Sequence, residues 1–361
     1  MKALIVSYGI MCLALCECRA IVSPSSYGAA GDGVADDTVA LQSACNAALA
    51  TNDSVELASA VYRISSPVIA NCDISGQSEQ RSVIRLANPR ANGLVVTTQG
   101  AVHWEKFRID SIAQQAGGSA ILVAPPVGIN RESTFERLML VHVYSGFSFV
   151  SAAWWRMFGC SVEAYSSVGV EVGDDVNPDA GDSSITNCLF NSGGTAIYQR
   201  SSGGLKVTAC KIITAAYGYY LDLSPGAITG DLLLTANSIE GVSQAIVLKN
   251  EPGSLFYNVT ITGNQINAKL VGIDCQASQG YVWLTNMTVT GNTIYLGAPN
   301  CIGIDINGAT TVSIIGNTIV PGSSNNYSVV LGPLCQWSRV AQNPVEGFAP
   351  IVNQGAENTI Q

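Results

Sequence analysis

One six-residue phrase recurs through most of the chain, and it restricts the fold more than any other feature. Aligned one above another, WEKFRI (104–109), FERLML (135–140), MFGCSV (157–162), ITNCLF (185–190), VTACKI (207–212), LTANSI (234–239), ITGNQI (261–266), VTGNTI (289–294) and IIGNTI (314–319) share apolar ends around a small or polar middle. The fourth position holds Phe107, Leu138, Cys160, Cys188, Cys210, Asn237, Asn264, Asn292 and Asn317, a span crossed in steps of about 26 residues. A second short apolar run follows each phrase, as in GVEV (169–172), AIYQ (196–199), AIVL (245–248), GIDC (272–275) and GIDI (303–306). These runs are too short for helices and alternate as strands do. A repeat of this length cannot bury its own apolar face, so successive repeats must stack. Strands one coil apart, all running the same way, make a parallel β-helix. The fourth position then marks a tight turn, where stacked Asn amides bond along the ladder and Asn accepts left-handed backbone. Cys160, Cys188 and Cys210 continue that line as small buried side chains.

Outside the repeat, the stretch YGAAGDGVADDTVALQSA (27–44) is dense in Gly and Asp. It lacks the spacing of a phosphate cradle or a calcium hand. Asp36, Asp37 and Thr38 can cap a helix, and Val39, Leu41, Ala44, Cys45, Ala48 and Leu49 give that helix one apolar face. A solenoid needs its open end covered, so this reads as a capping helix. The expected layout is a leader over 1–20 and one solenoid domain over 21–361. Within that domain the cap covers 21–52, the coils 53–335 and a C-terminal tail 336–361.

The block from Tyr27 to Gly33, followed by Asp36, Asp37 and Thr38, VELASAVYRISSPV (55–68) and ISGQSEQRSVIRL (74–86), resembles the N-terminal part of the pectate-lyase-like superfamily. The branch it is most similar to is the rhamnogalacturonase/epimerase-like one, shared with phage tailspikes. The resemblance implies an all-β, right-handed parallel β-helix with an N-terminal capping helix. It leaves open hydrolases, lyases, epimerases and virion proteins. Polygalacturonases carry four motifs on this fold, and of these Gly173, Asp174 and Asp175 match one, while their Gly-His-Gly and Arg-Ile-Lys have no counterpart.

The repeat itself places candidate chemistry. In the second run, the residue after the apolar position should face outward, which lines up Glu171, Tyr198, Tyr220, Val247, Asp274 and Asp305. Parallel strands sit ~4.8 Å apart, so Asp274 and Asp305 fall near the ~5 Å separation used by retaining glycosidases. A like-charged neighbour raises one of the two pKa values, as a general acid requires, while the competing reading is a solvated pair of surface aspartates or two groups bonded into a turn. The densest acidic stretch, VEVGDDVNPDAGDSS (170–184), adds Asp174, Asp175, Asp179 and Asp182. It offers an acid and base across a sugar, or oxygen ligands for calcium, or simply an acidic surface loop. Tyr198 and Tyr220 offer a sugar-stacking platform, and Trp154 and Trp155 can flank a groove, with core packing the competing role for at least one of them.

Composition fixes the remaining classes. The chain has 361 residues and formal net charge −9, with 47% hydrophobic and 12% charged residues, which describes a large apolar core and a poor nucleic-acid ligand. Residues 1–20 combine Lys2, an apolar run and Cys18, Arg19, Ala20 in the pattern of a secretory leader. Secreted or periplasmic location is the expectation, with no membrane segment after cleavage. Eight cysteines follow the leader without a CxxC pair, and only His103 and His142 are present, so no metal and no cofactor other than calcium are expected. Cys275 and Cys301, flanking successive GID runs, are a candidate disulfide. The expected function is polysaccharide cleavage by paired carboxylates. The alternatives are β-elimination of a uronate glycan and a non-catalytic glycan-binding or phage tail-type module.

Overall fold

The computed structural model describes residues 20–173, 182–200, 203–223, 225–250, 253–277, 283–323, 325–345 and 350–361. The chain winds as a right-handed parallel β-solenoid of about 11 turns, entered through one helix, Thr38–Thr51. Its strands form two long ladders of 14 and 20 strands, and the pairings along both are parallel. Each coil gives one strand to the first ladder and two stretches to the second. In four successive coils those two stretches fuse into single bent strands, Leu189–Gln199, Lys211–Leu223, Ser238–Asn250 and Gln265–Gln276.

The coil turns its corners through left-handed residues. In all nine hexamers the left-handed residue is the third position, from Lys106 and Arg137 to Gly263, Gly291 and Gly316. The expectation had placed it at the fourth. A side chain at the third position points to solvent, so glycine and small residues serve there. The fourth position instead turns inward and carries the hydrogen bonds. Asn264 Oδ1 accepts from Asn237 N and Nδ2, both at 3.0 Å, while Asn264 Nδ2 donates to Leu234 O at 3.0 Å and Asn292 Oδ1 at 2.9 Å. The same pattern joins Asn292 to Asn317 and Asn317 to Asn343. Cys210 enters the line by donating its N–H to Asn237 Oδ1 at 2.9 Å. All four asparagines at the fourth position are buried, and each has its amide bonded on both sides.

Between the ladders lies one continuous apolar core. Its middle coils hold an aromatic cluster in which Phe149 stacks on Trp155 at 3.9 Å and Phe135 meets Trp104 edge-on. The helix covers the N-terminal end with Ala40, Leu41, Ala44, Cys45 and Ala48 buried. Two expected members of its apolar face are outside: Val39 is 78% exposed and Leu49 54%. The core-facing stripe follows 37, 41, 44, 45, 48, and both residues fall off it. Asp37 occupies the N-cap position but makes no capping bond. Its carboxylate accepts instead from Ala30 and Gly31 N–H, and Asp36 accepts from Thr38 N–H. The acidic pair thus ties the Gly-rich turn to the helix start.

Two further expectations change. The segment read as a C-terminal tail, 336–361, adds strands to both ladders at Arg339–Ala341, Ile351–Asn353 and Thr359–Ile360. Cys275 and Cys301 are both free thiols. Cys275 sits opposite Ile306 at the end of its strand, whereas Cys301 precedes the next strand and meets Lys269 O, so the two lie at opposite ends of the paired run. Among the described residues no helix is long and apolar enough to cross a membrane.

Candidate functional site

The second ladder carries an outward array built by simple alternation. Ile197, Tyr219, Ile246, Ile273 and Ile304 face the core, so the residue after each faces out. The register runs Ser148, Glu171, Tyr198, Tyr220, Val247, Asp274, Asp305 and Val330, each opposite the next. The register expected from the repeat is observed, but within it Ser148, Val247 and Asp274 are buried, whereas Glu171, Tyr198, Tyr220 and Asp305 are half-buried. Beside it run Asp222, Lys249 and Gln276 on one flank and Tyr217 and Gln244 on the other.

Asp274 and Asp305 are direct neighbours on adjacent strands. Asp274 is buried and is held from both flanks. Gln276 donates to its Oδ1 at 2.8 Å, and Gln244 to its Oδ2 at 3.3 Å. Burial raises its pKa, against the pull of Gln276, Lys249 and Gln244 toward the ionised form. Asp305 is pushed up to about 6, by burial first and then by the charge of Asp274, with Gln276 acting in the opposite sense. The charge of Asp274 thus acts on its neighbour Asp305 across the strand pair and disfavours a second negative charge there.

Two coils away, the aromatic part of the array is held by charged neighbours. Tyr198 packs edge-on against Tyr220 with ring centroids 5.5 Å apart, and Tyr217 packs on Tyr220 at 5.0 Å. The Arg200 guanidinium lies 5.2 Å over the Tyr198 ring, with Arg200 Nε 3.5 Å from Glu171 Oε1. Lys249 Nζ lies 5.5 Å over Tyr220. Tyr198 donates to Asp222 Oδ2 at 3.3 Å, and its pKa is pushed up to about 12, by burial first and then by Asp222. Gln244, Gln276, Asp222 and Lys249 were missed in the sequence. Their signal was a column two residues after the first for Asp222, Lys249 and Gln276, and one three residues before it for Gln244, hidden because polar residues alone do not mark a column.

The other expected residues divide. Asp174, Asp175 and Asp179 lie outside the described residues. Asp182 is described, but it belongs to a different place from Glu171. It sits at the corner leading into the first ladder, where it lines a cavity of about 450 Å³ with Glu132, Thr134, Trp154 and Arg156. Trp154 is 43% exposed there, with the Arg131 guanidinium 4.8 Å over its ring. Trp155 does not flank the groove: it is fully buried against Phe149. Consecutive residues at a corner face opposite ways, so one tryptophan is core and the other is surface.

A coil earlier on the first ladder, His103, Glu105 and Glu136 offer ligand atoms all within 4.8 Å of one another. Strand alternation puts His103 and Glu105 on one face, and the register sets Glu105 opposite Glu136. Counting two histidines argued against a metal, yet this set can take a divalent cation. One imidazole with two carboxylates suits a transition ion better than the all-oxygen shell of calcium. Lys106 Nζ at 2.6 Å from Glu105 Oε2 competes for the same carboxylate. Stacking WEKFRI on FERLML already sets Glu105 over Glu136; His103, just ahead of the phrase, is what that alignment omits.

Comparison with known proteins bears on this geometry. Residues 145–332 match the family described as right handed beta helix region, and residues 21–115 match rhamnogalacturonase A/epimerase, pectate lyase-like. The search of curated proteins found no match. Among solved structures, the mannuronan C-5 epimerase AlgE6 A-module of Azotobacter vinelandii is 16% identical over 94% of this chain and 97% of its own, with TM-score 0.57. The DFA-IIIase of Arthrobacter chlorophenolicus A6, in complex with GF2, is 14% identical over 89% and 93%, with TM-score 0.66. The Dettilon tailspike protein is 13% identical over 92% of this chain and 68% of its own, with TM-score 0.66. At these identities the likeness is one of fold.

Proposed function

Since this chain belongs to the right-handed β-helix family of pectate-lyase-like proteins, we propose that it binds a polysaccharide along the outward array of its second ladder and cleaves it there. The fold is shared by carbohydrate-acting enzymes and by tailspike modules, so the site carries the argument. The observation that supports cleavage is the Asp274 and Asp305 pair, with Asp305 still partly protonated near pH 6. A neutral Asp305 donates its proton to the leaving glycosidic oxygen. Asp274, oriented by Gln244 and Gln276, supplies the negative charge that meets the sugar carbon. Strand spacing of ~4.8 Å puts the two in the range for a retaining mechanism. Tyr198 and Tyr220 give the chain a stacking surface further along the same column. Export of the protein is part of this reading and rests on the leader-like pattern of residues 1–20.

A second reading, β-elimination of a uronate polymer, draws on Arg200 and Lys249 beside the two tyrosines, which can neutralise a sugar carboxylate. A non-catalytic glycan-binding module of the tailspike kind uses the same surface without the acid. One experiment separates the three. The protein is incubated with a panel of neutral and uronate polysaccharides while reducing ends and unsaturated products are followed. Reducing ends without unsaturation, abolished in Asp305→Asn, is the expected result. Unsaturated products would select the elimination. Retention of polysaccharide without products would select binding alone.

A further inference from the structure

The cavity on the first ladder does not belong to the array just described, and its walls are unusual for a corner. In register with the position two before Thr134, ten residues form one column from coil to coil, six of them ahead of their first-ladder strand and four within it. They are Glu132, Trp154, Asp182, Gly204, Asp231, Asn258, Asn286, Thr311, Trp337 and Glu357, as the strand register requires. Every one of them has φ between 50° and 66°. Left-handed backbone favours Gly, Asn and Asp, and five of the ten are of those types. An indole is the wrong side chain for such a corner on backbone grounds. Only Trp154 and Trp337 place an aromatic there. Trp154 is also fixed in aim, because Trp155 next to it is locked in the core and Arg131 lies over its ring.

The groups around Trp154 have spare hydrogen-bonding capacity. Among the described residues the side chains of Glu132, Arg156 and Asp182 make no hydrogen bond or ion pair, although all three line the same space. Gly204 leaves room for the Asp182 carboxylate, since a Cβ there would come within 2.4 Å of its Oδ1. The volume, about 450 Å³, is that of a small-ligand pocket. Among the described residues, the two lining carboxylates are offset by Arg156 in the lining and by Arg131 over the indole, so these side chains set no net preference for a charged guest.

We infer that this cavity is a second saccharide site, separate from the Asp274 and Asp305 array, and that it takes a neutral sugar ring. The apolar C–H face of the ring lies on the Trp154 indole. Vicinal hydroxyls donate to Glu132 and Asp182, and the Arg156 guanidinium donates to a hydroxyl or ring oxygen. The inference borrows from the preceding reading only its ligand class, carbohydrate. It makes the protein bivalent for glycan, with a grip on one ladder and a reaction surface on the other.

The test is calorimetric titration of the whole protein with maltotriose, cellotriose, laminaritriose, mannotriose and trigalacturonate. The variants are Trp154→Gly, Arg156→Gln and Asp305→Asn. Trp154→Gly suits the left-handed corner, so the fold is retained, which a thermal melt verifies; Arg156→Gln is an exposed substitution that gives an independent reading. At least one neutral trisaccharide is expected to bind, to weaken about tenfold or more in each of the first two variants, and to bind Asp305→Asn as it binds the native protein. The inference is overturned if no neutral trisaccharide binds, if binding survives Trp154→Gly, or if Asp305→Asn loses it equally. Loss of cleavage in Asp305→Asn with Trp154-dependent binding intact concerns the array alone, so the two readings fail separately.

Discussion

At the scale of single residues, a half-buried carboxyl and a buried amide set opposite kinds of constraint. Asp305 has a raised pKa, so the folded state holds its proton more tightly than the unfolded chain does. Its stabilising effect is therefore complete below the unfolded value near pH 4 and is lost as pH rises through about 6. Asp274 shifts in the same direction, raised by burial, and so contributes with the same sign. Thermal melts of Asp305→Asn between pH 4 and 7 should show a flatter decline than the native protein, with the variant the more stable of the two at pH 7. A native decline unchanged by the substitution would mean that the pair is solvated and ordinary. Asn264 works the other way. Replacing it with Ala strands the Asn237 N–H and the Leu234 carbonyl inside the core. At ~1–3 kcal/mol per stranded group, Asn264→Ala should cost about 3 kcal/mol in urea unfolding, and a cost below 1 kcal/mol would show that the ladder does not bear on stability.

Elements here are made by corners more than by strand propensity, and this explains which of them the sequence disclosed. The hexamer could be aligned because its corner is short, and its third and fourth positions are chemically restricted. Asn237, Asn264, Asn292 and Asn317 could be stacked from spacing alone. Spacing alone sets the left-handed role one residue late, because Asn fits both a left-handed corner and an amide ladder, and the backbone angles are what separate the two. The corner before the first ladder was invisible, since Glu, Trp, Asp, Gly, Asn and Thr share no pattern a reader can align. The helix face was misread at Val39 and Leu49 because apolar type outweighed angular position in a short helix where alanines do the packing. Corner chemistry also gives a clean test. A Cβ at Gly291 meets nothing within 4 Å and its φ is 64°, so Gly291→Val isolates the backbone cost. Destabilisation of about 1–2 kcal/mol or more is expected in denaturant unfolding, with no change in the core. A neutral result would contradict the left-handed assignment.

Over the whole molecule, the coil turns sequence spacing into two surfaces with different chemistry. Residues 26 or so apart become neighbours, so a carboxylate pair, an aromatic pair and their flanking amides can arise in one column without any local motif. That is why the Asp274 and Asp305 line was legible from the repeat, whereas Lys249, Gln244 and Gln276, whose importance comes from what stands beside them, were not. It also separates Glu171 from Asp182, close in sequence but on different ladders. The central claim is that glycan lies along the second ladder. The most direct measurement is a crystal structure of the protein bound to the shortest oligosaccharide that the polysaccharide panel selects, with Asp305→Asn used to prevent turnover. The account predicts sugar rings following the column from Tyr198 past Tyr220 to Asp274 and residue 305, with a glycosidic oxygen within hydrogen-bond reach of the residue 305 side chain. Sugar density confined to the first ladder, with this column bare, would contradict it.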